Sequence, residues 1–307
     1  MKKALKISLK ISLICVAAII VVGLVVMTAV FPYIWRYAFD FGKFDISKKP
    51  QEETITIMSF NVRGFTTSDT KKRSWFYRAK LQRYLLEETQ PDIIGFQEAT
   101  DNSIWFFEHH LKGYSFLIAK TNFEDNEKNM YIAYRSDRFT LISQGYFWLS
   151  ETPDVPSKSW NSACVRTAAY TNLLDNLTGK ELCVMDTHLD HVSEEARVNG
   201  MQVILDKRAT IHADRFILLG DMNCASWSAA YKKATSDGLV DASLVASKSY
   251  FGKGATYHGY GEYLDNVPID FFFVTPNITV DEYFVFDKTY DGVYPSDHFP
   301  IVMSVRL

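Results

Sequence analysis

Cysteine is scarce: four occur among 307 residues, at Cys15, Cys164, Cys183 and Cys224. The first lies in an apolar run, and the other three show no metal-type spacing, so neither a disulfide framework nor a zinc site is expected. Basic blocks are also missing beyond the first ten residues and the short run Lys71-Lys72-Arg73, and the net charge is −3. A protein that grips many phosphates of a duplex usually shows a basic footprint, because those contacts supply much of its affinity. This disfavours a tight or processive nucleic-acid binder, but not a protein that touches a few phosphates. There is no internal repeat, no low-complexity tract and no dinucleotide fingerprint, and G-K-G-A at Gly252 to Ala255 is too short for a phosphate loop.

What the chain does have is apolar mass. Hydrophobic residues make up 47% and aromatic residues 15%, enough for one large core and incompatible with disorder. Ile11 to Phe31 is almost wholly apolar and follows Lys2, Lys3, Lys6 and Lys10. At ~1.5 Å per residue such a helix can cross a ~30 Å hydrocarbon layer. The run lacks a small-residue exit, which favours an uncleaved anchor over a signal peptide. Tyr33, Trp35 and Tyr37 suit an interfacial belt, or else packing against the following domain. The expected organisation is a basic segment (1–10), a transmembrane anchor (11–35), a linker (36–53) with a polar stretch from Ser47 to Glu53, and one α/β domain (54–307). The lysines before the span place the domain outside a cell membrane in a single pass, although Arg36, Lys43, Lys48 and Lys49 weaken that bias.

From Thr54 onward strand and helix periods alternate. Strands are predicted at Thr54–Asn61, Asp92–Gln97, Tyr114–Ala119, Met130–Arg135, Phe139–Leu149, Val165–Leu174, Leu182–His188, Phe216–Gly220, Ile269–Thr275, Val280–Phe286 and Phe299–Arg306. Helices are predicted on the Tyr77, Leu81, Tyr84, Leu85 stripe before Pro91, at Ile104–Leu111, at Ser193–Ile211 and at Trp227–Thr235 after a Ser226 cap, with a loop over Tyr250–Pro268. Consecutive strands between helices suggest packed sheets.

Chemistry-bearing side chains recur where these apolar runs end. Asp221 and Asn223 in F-I-L-L-G-D-M-N-C share one face, although D-x-N can equally be a turn. Glu98 is a hard oxygen ligand that Asn61 and Asp297 could join. One or two carboxylates with room for water and phosphate suit Mg2+, or Mn2+, far better than zinc. His188 and His298 are candidate acid/base or charge-stabilising groups, and Asp270 is a plausible partner for the latter. Cys224 reads as a buried small hydrophobe that could lie near the site, and Tyr134 could approach it.

The motifs F-N-V-R-G (60–64), P-D-I-I-G-F-Q-E (91–98), T-H-L-D-H (187–191), G-D-M-N (220–223), I-D-F-F-F-V (269–274) and S-D-H-F-P (296–300) occur in one order. In that order the chain resembles the endonuclease/exonuclease/phosphatase superfamily, the group of deoxyribonuclease I and exonuclease III. The resemblance covers Thr54 to Leu307 and implies a four-layer α/β sandwich: two packed mixed β-sheets flanked by helices, here preceded by one transmembrane helix. It further implies Glu98 as main Mg2+ ligand with Asn61 and Asp297 near the metal. Asp221 would act on the attacking water, Asn223 would hold that water or a phosphate oxygen, and Asp270 would pair with His298, which would stabilise the transition state. His188 would be a second phosphate-side group or general acid, and Arg166 a phosphate clamp. The expected protein is a monomeric, membrane-anchored, Mg2+-dependent phosphodiesterase of nuclease type. The alternative is a phosphatase or phosphodiesterase of lipid headgroups or polyprenyl pyrophosphate, and a silent binding module is less favoured. Its substrate is a nucleic acid, a nucleotide or a phospholipid headgroup. Met222 stands where the family tends to have an aromatic, and the stretch Asn122–Asn129 matches no motif.

Overall fold

Consecutive apolar residues in strands such as I-T-I-M-S-F and F-I-L-L require burial on both faces, and two sheets packed between helices provide it. This is the arrangement in a computed structural model of the chain, which describes residues 2–31, 34, 37, 40–121, 129–211, 213–263 and 267–307. In chain order the strands are β1 (Phe44–Asp45), β2 (Ile55–Asn61), β3 (Ile93–Ala99), β4 (Leu111–Lys112), β5 (Tyr114–Ala119), β6 (Asn129–Arg135), β7 (Phe139–Trp148), β8 (Thr167–Asp175), β9 (Lys180–His188), β10 (Phe216–Asp221), β11 (Val240–Asp241), β12 (Lys248–Tyr250), β13 (Asp270–Val274), β14 (Thr279–Val285) and β15 (Ile301–Arg306). The helices are α1 (Lys2–Val25), α2 (Trp75–Thr89), α3 (Asp101–His110), α4 (Glu194–Thr210), α5 (Ala229–Ser236) and α6 (Ala242–Val245). One seven-stranded sheet runs β12-β14-β15-β2-β3-β6-β5, and a six-stranded sheet runs β11-β13-β10-β9-β8-β7.

Neighbouring strand residues face opposite ways, and the core divides accordingly. Ile57, Ile93, Ile217, Leu219, Phe272 and Met303 pack between the sheets. Their neighbours Met58, Phe60, Ile94 and Phe96 meet Trp75 and Phe106 of α2 and α3. Leu218, Phe271 and Phe273 meet Met201 and Ile204 of α4 and Tyr231 of α5. Three apolar interfaces thus join four layers, as expected from the sequence.

Several boundaries differ from the sequence reading. The second helix after β2 begins at Asp101, three residues early, because Thr100 and Ser103 form a reciprocal cap. Ser228, not Ser226, caps α5 by accepting Tyr231 N–H, and Trp227 is left exposed. Tyr134 does not approach the site: it is buried between the sheets opposite Ile93, at the start of β3, while Glu98 lies at the other end of that strand.

α1 continues into a π-helical turn at Val26–Val30. Its segment Lys10–Ala29 has mean hydropathy 2.9 and none of it is buried, so it is long and apolar enough to cross a membrane, a test that a signal sequence also passes. Tyr33 and Trp35 lie outside the described residues, as do 122–128. Tyr37 packs on Trp75, Phe76 and Phe106, with ring centroids 5.5, 5.2 and 5.8 Å away. Within the expected linker (36–53), Asp40 to Lys49 lie docked on the domain. Asp40 receives two hydrogen bonds from Arg83, at 2.9 and 3.0 Å. Phe44 and Ile46 are buried, and β1 pairs in parallel with β4.

Candidate active site

Strand direction gathers the candidate residues at one rim. β2 and β3 are parallel, β2 ending at Asn61 and β3 carrying Glu98 as its next-to-last residue, while the antiparallel β15 begins shortly after Asp297 and His298. In the second sheet β9 and β10 are parallel and end at His188 and Asp221, and the antiparallel β13 begins at Asp270, directly opposite Asp221.

At this rim Asp221 is the hub. Its Oδ2 receives the Asn61 amide at 3.0 Å and lies 3.3 Å from His188 Nε2 and 3.6 Å from His298 Nε2. Its Oδ1 accepts Asn223 N–H at 2.9 Å, and the Asn223 side chain donates to Leu189 O at 2.9 Å. His298 Nδ1 is 3.0 Å from Asp270 Oδ2, which orients the ring and leaves Nε2 toward Asp221. Burial, followed by the charge of Asp270, raises Asp221 to about 7, against the opposing effect of His298. For His298 burial works downward, but Asp270 and Asp221 outweigh it and raise the imidazole to about 10. The cluster therefore carries His298 as imidazolium at neutral pH.

Glu98 occupies a bulge between β3 and β6, with left-handed backbone at φ 57°. Arg63 and Asn223 share that conformation, at φ 45° and 47°. Each costs a non-glycine residue of order 1–2 kcal/mol, and such strain concentrates where geometry serves a site. Glycine is required at 220 in G-D-M-N: φ is 139°, and a Cβ would come 1.9 Å from Thr187 O.

Two carboxylates, Glu98 and Asp297, act on the same Arg63 guanidinium, which is 3.6 Å from Asp297 and is held from behind by Asp69 at 3.1 Å. Both also raise the Tyr257 phenol, after burial. Hard oxygen donors suit Mg2+ or Mn2+. A second grouping, Asp221, Asp270 and His298, has its ligand atoms within 4.8 Å of one another. There the His298 ring nitrogen and the Asp270 oxygen already share a hydrogen bond, so hydrogen bonding accounts for the cluster without a cation. The Asn61 amide links the two halves: its oxygen accepts Arg63 N–H at 3.1 Å while its nitrogen reaches Asp221.

Arg166 joins a different group. Its Nη2 is 3.1 Å from His191 Nδ1 and its Nε 3.8 Å from Asp190. Asp190 accepts from Ser162, Val192 and Ser193 and anchors the start of α4. Burial would raise Asp190, but these hydrogen bonds prevail and hold it at about 2. Cys224 is a buried core residue beside Met222, its thiol pushed up by burial.

Several supporting residues were not singled out from sequence. Arg78 and Gln82 of α2 each donate to both Val62 O and Pro295 O, pinning the loops that carry Asn61 and Asp297 together. Arg63 stood inside the F-N-V-R-G motif and could have been named for its charge. Beneath the rim the Gln97 amide donates to Asp186 Oδ1 at 2.7 Å across the sheets. Burial raises the Asp186 carboxyl well above its ordinary value, which favours the protonated form in the folded protein. Stability from that proton is present in full below the ordinary carboxyl value and is lost as pH rises toward the raised one. Asp186→Asn, which needs no proton, should therefore raise Tm, by an amount small near pH 4 and growing toward pH 8. A thermal unfolding series across that range checks this, and a pH-independent difference would contradict it.

The model of the Endonuclease/Exonuclease/phosphatase family matches residues 58–298. The mannosyl-6-phosphatase of Bacteroides thetaiotaomicron superposes with a TM-score of 0.78 at 28% identity, over 82% of this chain and 100% of that one. An endonuclease/exonuclease/phosphatase of Bacteroides vulgatus gives 0.78 at 27%, over 83% and 99%. An uncharacterised protein of Acanthamoeba polyphaga mimivirus is 29% identical, over 55% of this chain and 67% of its own length. The chain belongs to the endonuclease/exonuclease/phosphatase family and is a hydrolase of phosphoester bonds.

Proposed function

We propose that this protein is a membrane-attached, Mg2+-dependent phosphoesterase in which water attacks phosphorus in line from the Asp221 side of the rim. The observation that carries the reading is the division of the rim into two halves joined by Asn61: Glu98 and Asp297 with Arg63, and Asp221 with His188, His298 and Asp270. Glu98 and Asp297, with Asn61 beside them, would hold the cation, which when bound polarises a phosphoryl oxygen and offsets charge in the transition state. Asp221, near 7, is poised to take a proton from water at neutral pH. Asn223 holds the Asp221 carboxylate in place through its backbone N–H. His298, positively charged and aimed by Asp270, meets the charge that develops on phosphorus, and His188 stands beside it as a second donor. Arg63 is placed to contact a phosphate oxygen, a role that sequence assigned to Arg166.

A phosphodiester substrate is the first reading. A phosphomonoester is the second, favoured by the 28% identical structural relative, which is a mannosyl-6-phosphatase. The test is initial-rate hydrolysis by the detergent-purified chain of bis-p-nitrophenyl phosphate, p-nitrophenyl phosphate, single- and double-stranded DNA, RNA, mannose 6-phosphate, a phosphoinositide, sphingomyelin and a polyprenyl pyrophosphate. Cleavage of diesters supports the first reading and cleavage of monoesters alone the second. No Mg2+- or Mn2+-stimulated cleavage of any would contradict both.

A further inference from the structure

The docked segment before β2 runs along the domain in a definite direction. Lys49 donates to Gln90 O and Asp92 at 2.9 and 2.8 Å, where β3 starts, at the end far from the rim. Asp40 meets Arg83 midway along α2. Tyr37 packs on Trp75 and Phe76, the first two residues of that helix. α2 begins at the rim end, because the loop leading into it leaves β2 at Asn61, and Phe76 is 5.4 Å from Phe65 of that loop. Traced back toward the N-terminus, the chain therefore climbs beside α2 to the rim. Eight peptide steps then separate Tyr37 from Ala29, the end of the apolar helix, and they span at most ~29 Å when fully extended.

A second feature lies at the same end. Val155 in the β7–β8 connection, Val192 between β9 and α4, Trp227 between β10 and α5, and Tyr257 and Tyr263 before β13 are all exposed, Trp227 by 67% and Val192 by 65%. Each sits in a connection that meets its strand at the rim: Trp148 pairs with Thr167, β9 and β10 end at His188 and Asp221, and Tyr257 bridges to His298. The turn at the far end of β8 and β9 presents Leu177, and α6 presents Leu244 and Val245, all aliphatic. Tryptophan and tyrosine favour the interfacial layer of a bilayer. Exposed charges of both signs share the rim end, Lys71, Lys72 and Lys158 with Glu151, Asp154 and Glu195, so attraction there comes from the apolar side chains and not from a field of one sign.

We propose that the protein stands with its catalytic rim turned to the bilayer, these five side chains seated in the interfacial layer, and that it takes a phosphoester carried by a membrane amphiphile. The inference rests on the phosphoesterase reading and on attachment by the Lys10–Ala29 helix; it adds the face that meets the membrane and the substrate class that follows from it.

The test uses the full chain with Cys15→Ala and Cys164→Ser in phosphatidylcholine vesicles. A fluorophore is attached singly at Trp227→Cys on the rim, at Trp105→Cys on the α3 flank and at Leu177→Cys on the far turn, and its quenching by a spin label on the lipid headgroup is read. Quenching is expected to be several-fold stronger at 227 than at 105 or 177. In the same vesicles phosphatidic acid, a phosphoinositide, sphingomyelin and a polyprenyl pyrophosphate are compared with their chain-free headgroup analogues, and at least one should be cleaved several-fold faster than its analogue. Trp227→Ser combined with Val155→Ser should lower that rate several-fold and leave turnover of the p-nitrophenyl esters unchanged. Strongest quenching at 105, or equal quenching at all three positions in a chain that floats with the vesicles, would overturn the orientation and leave the anchor intact. Cleavage of the p-nitrophenyl esters with no lipid preferred to its analogue would overturn the substrate class and leave the phosphoesterase reading intact. A chain that does not float would overturn anchor and orientation together, and one that cleaves nothing with Mg2+ would overturn the phosphoesterase reading and the substrate class together.

Discussion

Asp221→Asn is expected to lower kcat by ~10²–10⁴-fold, the range for loss of a positioned general base, with little change in Tm. Asparagine has the same shape, and its oxygen can still accept Asn223 N–H at the Oδ1 position. At Oδ2, however, an amide nitrogen would face the Asn61 nitrogen, which lies 3.0 Å away and donates. The change removes both the acceptor that takes a proton from water and one of the three carboxylate charges, with Asp270 and Asp297, that favour protonated His298. With Asp270 alone remaining as direct partner, the imidazole should titrate below its present value of about 10, so the alkaline limb of the pH–rate profile moves to lower pH. Steady-state kinetics across pH 5–11 and thermal unfolding together check this. A variant within a few-fold of the parent at neutral pH would remove Asp221 from the chemistry.

Glu98→Gln should have an effect of similar size by a different route. It leaves the bulge, the left-handed backbone and the side-chain volume in place but removes one of the two carboxylates that act on Arg63 from the rim. A hard divalent cation bound by so few protein oxygens depends strongly on each formal charge. Activity is expected to fall by ~10²-fold or more, and the Mg2+ concentration for half-maximal rate should rise at least tenfold. Calorimetric titration of Mg2+ into the variant should show the same weakening without reference to turnover. Unchanged Mg2+ affinity would move the cation to Asp221, Asp270 and His298, whose ligand atoms are also close enough to hold one.

The rim was legible in sequence because chemistry and strand period coincide there. Asp221, Glu98 and His188 each end a run of residues that can only be a buried strand, and all of these strands point the same way. Asp270 and His298 were visible as a possible pair because each borders such a run, and the 3.0 Å contact between them depends on β13 and β15 both starting at this rim. What sequence did not reveal was the support. Arg78 and Gln82 look like the polar face of an amphipathic helix, and nothing local says that their side chains turn inward to two loops more than 200 residues apart in contact partners. Asp186, inside an apolar strand, carries no sign that it will be fully buried between the sheets and meet Gln97 from the other one. The partners of Arg166, Asp190 and His191, lie 24 and 25 residues further along the chain, and nothing local to the C-V-R-T stretch announces them. The segment before β2 was read as a linker from its polarity. Its docking comes from Tyr37, Asp40, Phe44 and Ile46, which are too widely spaced to form a recognisable period.

The central claim is that one rim, loaded with a divalent cation, hydrolyses phosphoesters. Hydrolysis of bis-p-nitrophenyl phosphate and p-nitrophenyl phosphate by the purified full chain, followed with Mg2+, with EDTA and with Mg2+ restored after EDTA, tests it most directly. The account predicts release of p-nitrophenol from at least one of the two esters, lost in EDTA and recovered with Mg2+. Turnover that persists undiminished in EDTA, or that survives in both Asp221→Asn and Glu98→Gln, would contradict it.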